Sequence, residues 1–279
     1  MHAPVSPPIP IELLLRAYRG GVFPMADHRS DPEVYWVEPR ERAIIPLDGF
    51  RLSKSLKKVL RQDRFHVTCD TRFADVIAEC AAPREEHAES WISHRIEASY
   101  RALHAAGHAH SIECWQDGEL VGGLYGVSFE RVFCGESMFS RTADASKVAL
   151  AWLVAAMRQA GFALLDCQFM TDHLATMGAV AVPQSRYMDM LIAADGCDSM
   201  LACLHELCGR LTARVEAVEA MGMRAAVACE RHVSTRVRWA SARSTLRWPQ
   251  WRAQPLPMRA QLEPPRLLTA TDGCGSLLA

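Results

Sequence analysis

Two acidic residues lie in segments of the chain that otherwise carry glycine and large apolar side chains. Glu136 falls within residues 133–141, and Asp166 ends a second apolar run, with Gln168 two positions later. A carboxylate in such surroundings must be hydrogen-bonded or paired, because burying a bare charge is very unfavourable. Carboxyl and amide groups placed this way can accept a proton, orient an amine or bind a cation. Either acid could equally be structural and accept backbone N–H groups at a strand end.

The spacing of the two acids favours a shared site. One predicted helix separates Glu136 from Asp166, so we expect two strand ends of one sheet that face one pocket. Three other kinds of site are not indicated. The histidines do not form a metal-ligand set with any carboxylate or cysteine. The segment around Ser137 lacks the flanking glycines of a nucleophile elbow, and no C-x-x-C pair suggests a structural zinc site.

Composition limits the classes of partner and compartment. The 279 residues have a formal net charge of -1, so an anionic partner must be held by a local basic patch. The N-terminus lacks the features of a secretory signal peptide, and no apolar run is long enough to span a membrane. We therefore expect a cytoplasmic protein with no membrane association.

Hydrophobic spacing predicts an α+β fold with a mixed sheet. Asp117-Gly118 is a strong hairpin signal between two strands. The helix after the third strand is a crossover, which makes the fourth strand parallel to the third. Helices are predicted at residues 10–19, 53–61, 72–80, 92–106, 145–160 (with Asp144 as its N-cap) and 172–177. Strands are predicted at residues 66–69, 111–115, 119–127, 131–135, 162–167 and 179–182, with shorter extended pieces at 34–37 and 43–46.

The chain divides into three predicted parts. Residues 1–65 form a small N-terminal domain, and residues 66–194 form the sheet domain. Residues 195–279 are an extension with eleven arginines and no lysine. Residues 200–218 could be helical, but the remainder lacks periodicity and is expected to be irregular or disordered. A shifted reading frame in the source gene would give a similar composition.

The helix at 53–61 carries a basic stripe. Lys54, Lys57, Lys58 and Arg61 stand at i, i+3, i+4 and i+7, which is one face of a helix. Such a stripe can neutralise several phosphates of a nucleic acid, although a solvated surface helix gives the same pattern. The scarcity of acids nearby, with only Asp63 in the vicinity, favours the phosphate track.

The order of strands and crossover suggests an acetyltransferase-like (GNAT-type) sheet. Members of that superfamily bind a pyrophosphate on a glycine-rich loop before the crossover helix. Residues 141–147 occupy that position and contain no glycine, so coenzyme A is a poor candidate and another acyl donor is implied. Two alternatives stay open: a CoA-dependent N-acetyltransferase, and a non-catalytic tRNA-binding module that uses the basic stripe.

A set of motifs spread over residues 10–193 resembles the leucyl/phenylalanyl-tRNA–protein transferase family. The combination is highly specific, and the extension lies outside it. The motifs are Tyr18 with Gly21-Val22-Phe23-Pro24, Trp91-Ile92, Gly107-His108-Ala109-His110-Ser111, Leu120-Val121-Gly122-Gly123-Leu124-Tyr125-Gly126, residues 133–141, Ala145-Ser146-Lys147, Asp166-Cys167-Gln168, His173-Leu174 and Gly178-Ala179.

The resemblance implies a fold and an activity. Members move Leu, Phe or sometimes Met from aminoacyl-tRNA to the α-amine of a protein that begins with Arg or Lys, which marks that protein for degradation. The implied fold is a small N-terminal domain with an acetyltransferase-like catalytic domain. Because the donor is an activated ester, no metal or cofactor is implied. A monomer is expected.

The resemblance also implies roles for particular residues at the reacting centre. Asp166 and Gln168 are the catalytic pair: Gln168 orients the attacking amine, and Asp166 polarises that amide or takes the proton. Glu136 holds the free ammonium of the aminoacyl group or the positive end of the acceptor peptide. Leu124, Phe133 and Met138 resemble the apolar pocket for the transferred side chain.

The tRNA contacts follow in the same way. Trp91 stacks on the terminal adenine, and the basic stripe Lys54, Lys57, Lys58 and Arg61 tracks the acceptor stem without reading its sequence. Taken without the resemblance, a tryptophan at position 91 is more often a core residue. One position departs from the family pattern: Met25 stands where some members carry a tryptophan after Phe-Pro, so adenine binding there is not implied.

Overall fold

The described part of the chain contains seven α-helices, a short 3-10 helix (Leu47–Gly49) and ten strands. The computed structural model describes residues 6–83 and 89–194, and the backbone of residues 266–269. The helices are α1 (Ile11–Arg19), α2 (Lys54–Arg61), α3 (Phe73–Ala81), α4 (His94–Ala105), α5 (Ala145–Ala160), α6 (Asp172–Thr176) and α7 (Gln184–Ala194). The strands are β1 (Phe23–Met25), β2 (Tyr35–Glu38), β3 (Glu41–Ile45), β4 (His66–Cys69), β5 (Ala109–Gln116), β6 (Glu119–Phe129), β7 (Val132–Ser140), β8 (Leu164–Gln168), β9 (Val180–Pro183) and β10 (Arg266–Thr269).

A seven-stranded mixed sheet forms the body of the protein. Its strand order is β4-β5-β6-β7-β8-β3-β9. Strands β7 and β8 pair in parallel, and the other neighbours in this sheet pair antiparallel. The predicted α+β class, the mixed sheet and the parallel fourth strand are therefore confirmed. Helix α5 makes the crossover between β7 and β8, because two parallel strands need a long connection, which is usually a helix.

A second, small sheet has the strand order β1-β2-β10. Its strand β10 comes from the C-terminal extension and pairs antiparallel with β2, with Leu268 opposite Trp36. The other predictions for residues 195–279, including the helix at 200–218, lie outside the described residues. Strand β3 lies in the large sheet between β8 and β9. The domain boundary at residue 65 stays a prediction.

Most predicted elements are present, and apart from the end of β7 their boundaries differ from the predictions by at most two residues. Strand β7 is longer than predicted, because it continues past Gly135 to Ser140 along β6. Strand β1 and helix α7 were not predicted. Asp144 stands at the N-cap position of α5, but its φ of 73° is left-handed and its side chain makes no cap hydrogen bond. Its carboxylate lies 3.3 Å from Lys147 Nζ instead.

Apolar side chains pack on both faces of the large sheet. One cluster joins the sheet to α1, α3 and α4, and the other joins it to α2 and α5. Alternation along a strand explains the division: Tyr125 belongs to the first cluster and Leu124 to the second. In the described part of the chain, no helix combines the length and apolar character needed to cross a membrane.

Candidate active site

Two β-bulges lie side by side where β7 and β8 separate. Strand β7 pairs with β8 only from Val132 to Cys134, and Cys134 stands opposite Asp166. Tyr125 and Gly126 of β6 are adjacent, but their partners on β7 are Ser137 and Gly135, so Glu136 is the extra residue of a bulge. In the same way, Cys167 is the extra residue of β8 where it pairs with β3. Bulges turn side chains out of the regular alternation, and they are common beside active sites.

Glu136 is buried among tyrosine hydroxyl groups. Tyr18 of α1 donates a hydrogen bond to its Oε1 over 2.8 Å, and Tyr100 of α4 donates to its Oε2 over 3.0 Å. The two phenol oxygens also lie 2.5 Å apart. In residues 6–83 and 89–194, no lysine, arginine or histidine forms an ion pair with Glu136. Within residues 6–83 and 89–194, the groups that donate to its carboxyl are therefore neutral.

The surroundings of Glu136 favour its neutral form. Burial raises the pKa of this carboxyl from 4.5 to about 7, and the nearby negative charge of Asp166 also raises it. Hydrogen bonds from Tyr18, Gln168 and Tyr100 act in the opposite direction, because they stabilise the carboxylate. A group with such a pKa exchanges protons close to neutral pH, which is the property needed in a general acid or base.

Asp166 is buried in a different way, because it forms an ion pair. The Arg42 guanidinium lies along the Asp166 carboxylate, with Nε 3.1 Å from both oxygens and Nη2 3.0 Å from Oδ2. Tyr187 of α7 donates to Oδ2 over 2.9 Å. Arg42 and Asp166 have 0% exposed side chains. The Arg42 guanidinium also packs over the rings of Phe23 and Tyr187, which surround the ion pair.

Gln168 connects the two acids through its backbone and its side chain. Its backbone N–H donates to Asp166 Oδ1 over 2.8 Å. Its φ is 61°, a left-handed conformation that is uncommon outside glycine. In the described residues its buried Nε2 has no hydrogen-bond partner of ordinary geometry, although the amide is close enough to Glu136 to lower that pKa. Asp166 therefore fixes the backbone turn that directs the Gln168 amide toward Glu136.

The predicted pocket residues lie on the opposite face of the sheet from the tyrosines. Leu124 and Met138 are cross-strand partners on β6 and β7. Both pack with Phe133 in the cluster formed by α2 and α5. Leu124 and Phe133 are buried, and Met138 is half-buried. The structure thus brings these three side chains together in one apolar cluster, whereas Tyr18 and Tyr100 belong to the other. Their role as a pocket stays a prediction.

Trp91 lies beside the end of strand β1, whose last residue is Met25. Trp91 is half-buried, and its carbonyl oxygen accepts a hydrogen bond of 3.2 Å from Ala26 N, directly after β1. Both Trp91 and Met25 pack at the margin of the core cluster that contains Tyr18 and Tyr100. A flat ring and a thioether are therefore placed near each other at one edge of the core. Adenine stacking on Trp91 stays a prediction.

Helix α2 displays its basic stripe to solvent. Leu56 and Val59 point into the core, while the four basic side chains are exposed. In the described residues none of the four forms an ion pair. Ser53 accepts the N–H of Leu56 and caps the helix. The stripe consists of Lys54, Lys57, Lys58 and Arg61.

Comparison with known proteins identifies the family. The family model described as leucyl/phenylalanyl-tRNA protein transferase matches residues 44–192, which is more than half of the chain. The model of the N-terminal domain of the same family matches residues 8–40. The chain belongs to the leucyl/phenylalanyl-tRNA protein transferase family.

Curated relatives that bear the family name match about two thirds of this chain. The leucyl/phenylalanyl-tRNA--protein transferase of Novosphingobium aromaticivorans is 66% identical over 186 residues, which are 67% of this chain and 71% of that protein. The protein of the same name from Rhizorhabdus wittichii is 60% identical over 66% of this chain and 75% of its own length. A solved structure of L-PGS from Bacillus licheniformis is 14% identical over 57% of this chain and 53% of its own, with a TM-score of 0.33. That TM-score carries no structural argument.

Sequence reasoning did not assign a role to four residues that surround the acids in this member of the transferase family: Arg42, Tyr187, Tyr18 and Tyr100. Arg42 could have been found, because a cation next to the apolar run 43–45 needs a buried anion as much as Asp166 needs a cation. Tyr18 was noted only as part of a motif. Tyr187 lies on α7, which was not predicted.

Two other features do not join this site. A cavity of about 350 Å³ lies around the β5–β6 hairpin and is lined by His66, Thr68, Trp115, Asp117 and Gly118. It contains none of the predicted site residues. Residues 6–83 and 89–194 contain no group of three or more His, Cys, Asp or Glu side chains that could hold a metal ion.

Proposed function

We propose that this chain transfers leucyl or phenylalanyl groups, and sometimes methionyl groups, from aminoacyl-tRNA to the N-terminal α-amine of proteins that begin with Arg or Lys. The observation that carries the proposal is the meeting of Glu136 and Gln168 at the gap between β7 and β8, in a chain of the transferase family. A buried carboxyl without a cation, next to a side-chain amide whose oxygen can accept a hydrogen bond, suits an incoming ammonium group. The product would be a protein marked for degradation.

The donor is an activated ester, so the enzyme has three tasks: it must hold the amine close, remove a proton and stabilise the developing oxyanion. Gln168 is proposed to orient the amine through its side-chain oxygen. Asp166 belongs to the same catalytic pair, and its contribution is to hold Gln168, through the hydrogen bond to the backbone N–H. Glu136 is proposed to attract the positive charge of the substrate.

The proposal extends to the type of sheet, the transferred side chains and the oligomeric state. The crossover α5 and the separation of β7 from β8 after Cys134 support an acetyltransferase-like sheet. Leu124, Phe133 and Met138 would contact the transferred side chain. Such a pocket discriminates by only about 1–3 kcal/mol per methylene, so both Leu and Phe can be accepted. The protein would act as a cytoplasmic monomer.

The transfer assay tests this proposal directly. Purified protein should add labelled leucine from Leu-tRNA to a peptide that begins with Arg, and should add much less to the same peptide beginning with Ala. Gln168→Ala should abolish transfer while the protein stays folded by circular dichroism. Glu113→Gln, which changes a buried acid of β5 with its own hydroxyl partners, should retain transfer. No transfer by the wild type, with tRNA binding intact, would support a non-catalytic tRNA-binding module instead.

The tRNA contact has a separate test. Lys57→Ala/Lys58→Ala should weaken tRNA binding and lower the slope of log affinity against log salt concentration by about 1 per lysine. Arg101→Ala/Arg186→Ala makes the same change of net charge at exposed positions of α4 and α7, and it should leave the slope unchanged. Equal slopes for both double variants would contradict a phosphate contact on α2.

A further inference from the structure

Three oxygen-bearing groups form a closed triangle on the inner face of the bulge in β7. Tyr18 Oη lies 2.8 Å from Glu136 Oε1, Tyr100 Oη lies 3.0 Å from Oε2, and the two phenol oxygens lie 2.5 Å apart. All three side chains are buried; Glu136 is 8% exposed and the two tyrosines 0%. Each side of the triangle has the length of a hydrogen bond.

The number of protons decides how this triangle can be satisfied. With Glu136 ionised, the two phenols supply only two hydrogens for three contacts. With Glu136 protonated, there are three hydrogens, and each group donates once and accepts once around the ring. Glu136 then donates to Tyr100, Tyr100 to Tyr18, and Tyr18 to the other oxygen of Glu136. The arrangement is therefore complete when the carboxyl holds a proton.

We propose that Glu136 is the group that accepts the proton of the acceptor amine. Tyr18 and Tyr100 are positioning residues, because their hydroxyl groups form a closed hydrogen-bonded ring with the resulting carboxylic acid. This inference rests on the proposed transferase function and names the proton acceptor within that site. It assigns the proton to the acid that lacks a cation, rather than to Asp166.

Asp166 is unsuited to accept a proton. Its two oxygens already accept hydrogen bonds from Arg42, Tyr187 and the backbone N–H of Gln168. A carboxylate has about four acceptor positions, and these donors use them. Protonation would also leave the buried Arg42 guanidinium without its counter-charge. Asp166 therefore acts as a positioning residue for Gln168.

The proposed step balances in protons and electrons. The acceptor arrives as an ammonium and gives one proton to the Glu136 carboxylate, which frees the nitrogen lone pair. That pair forms the C–N bond to the ester carbonyl carbon. The C–O bond to the ribose breaks, its electron pair stays on the ribose oxygen, and that oxygen takes the second amine proton. Glu136 then returns its proton to solvent, so the net products are an amide, an alcohol and one proton.

The groups that face Glu136 come from every element packed against it. They are Tyr18 of α1, Tyr100 of α4, Tyr125 of β6, Cys134 of β7, and Asp166 and Gln168 of β8. Burial raises the pKa values of the three tyrosines and of Cys134 well above their usual ranges, so these groups stay protonated. Glu136, with a pKa of about 7, is the group in this set that exchanges a proton near neutrality.

Single-turnover transfer from Leu-tRNA to an Arg-initiated peptide, measured from pH 5.5 to 9, tests the inference. Glu136→Gln should lower the rate by about 100-fold or more, as expected for loss of a general base. Tyr18→Phe and Tyr100→Phe each remove a donor that stabilises the carboxylate, so the rise in rate should move to higher pH. The amine of the peptide titrates identically in all assays, so a shift between variants reports an enzyme group. Glu113→Gln should leave the profile unchanged.

A direct titration of Glu136 distinguishes a failure of this inference from a failure of the proposed function. The ¹³C NMR signal of the δ-carbon that is lost in Glu136→Gln should titrate near pH 7 in the free wild-type protein, and higher in Tyr18→Phe. Transfer by Glu136→Gln at the wild-type rate would overturn this inference and leave the proposed function standing. A Glu136 signal that titrates at the usual pH of glutamate would do the same. No transfer by the wild type at any pH would overturn both.

Discussion

Glu136 and Asp166 lie at bulged positions of neighbouring strands and are both buried, but the charge of their partners differs. Asp166 has the Arg42 guanidinium, whereas Glu136 has two phenols and an amide. A buried anion beside a cation is held permanently in its charged form, because each charge would be unfavourable without the other. A buried acid with neutral partners can change its charge. The comparison teaches that the partners of a buried acid, rather than its burial, decide whether it stays charged, as we expect of Asp166, or can change its charge, as we expect of Glu136.

Breaking the ion pair should give the largest effect. Asp166→Asn removes the negative charge and leaves Arg42 buried and uncompensated, so we expect a loss of about 3–5 kcal/mol in the free energy of unfolding. Glu136→Gln should not destabilise the protein at pH 7, because an amide can replace the acid between two hydroxyl groups. Urea unfolding at pH 7 measures both. Equal losses in the two variants would remove the distinction between the acids.

A double substitution controls for a general intolerance of change at this position. Arg42→Met/Asp166→Asn removes both charges, and it should be more stable than Asp166→Asn alone by about 1–4 kcal/mol. If the double variant is as unstable as the single one, then the loss comes from packing rather than from the unpaired guanidinium.

The pH dependence of stability should reveal the exchanging acid. Because the folded pKa of Glu136 is raised from 4.5 to about 7, the folded state binds more protons than the unfolded state between these values. Wild-type stability should therefore fall as pH rises from 4.5 through 7. Glu136→Gln lacks this contribution, so its stability relative to wild type should increase over that window by about 2–3 kcal/mol. Urea unfolding at pH 5, 6, 7 and 8 measures the difference; a constant difference would contradict the raised pKa.

The sheet and the acids could be predicted from sequence, because both depend on local signals. The Asp117-Gly118 turn, the crossover α5 and the apolar run before Asp166 each lie within one short segment. The antiparallel strands and the parallel pair of the large sheet followed from these signals, but the position of β3 between β8 and β9 did not. The charge states of the two acids did not, because their partners come from distant segments: Arg42 is 124 positions from Asp166, and Tyr18 is 118 positions from Glu136.

Helix α7 and the left-handed turn at Gln168 show a second limit of prediction from the sequence. Residues 184–194 carry few buried side chains, among them Tyr187 and Leu191, so their helical period is weak. The φ of Gln168 depends on the hydrogen bond to Asp166, which no propensity of glutamine encodes. The ion pair of Asp166 with Arg42 is likewise a tertiary contact, which no local pattern encodes.

Two glycines beside the acids should respond unequally to an added methyl group. In Gly126→Ala, the new Cβ would overlap the backbone carbonyl oxygen of Cys134 and the Phe133 ring, so the bulge that carries Glu136 must shift. We expect a loss of about 1–3 kcal/mol. Gly135→Ala is the matched control, because its Cβ would meet only the Asp166 carbonyl oxygen, at an ordinary 3.5 Å. Thermal unfolding of both variants should separate them; equal losses would mean that β7 adapts freely around Glu136.

The smallest losses of stability should come from removing single tyrosine hydroxyl groups. These losses test most closely whether Glu136 and Asp166 differ in charge. At pH 5 the carboxyl of Glu136 is neutral, so Tyr100→Phe removes a hydrogen bond between neutral groups, worth about 0.5–1.5 kcal/mol. Tyr187→Phe removes a bond to the ion-paired Asp166, and bonds to charged groups are worth about twice as much. As pH rises to 8, Glu136 ionises and the loss in Tyr100→Phe should grow toward that of Tyr187→Phe. Urea unfolding at both pH values decides this, because losses that stay apart at pH 8 would mean that Tyr100 does not stabilise a carboxylate.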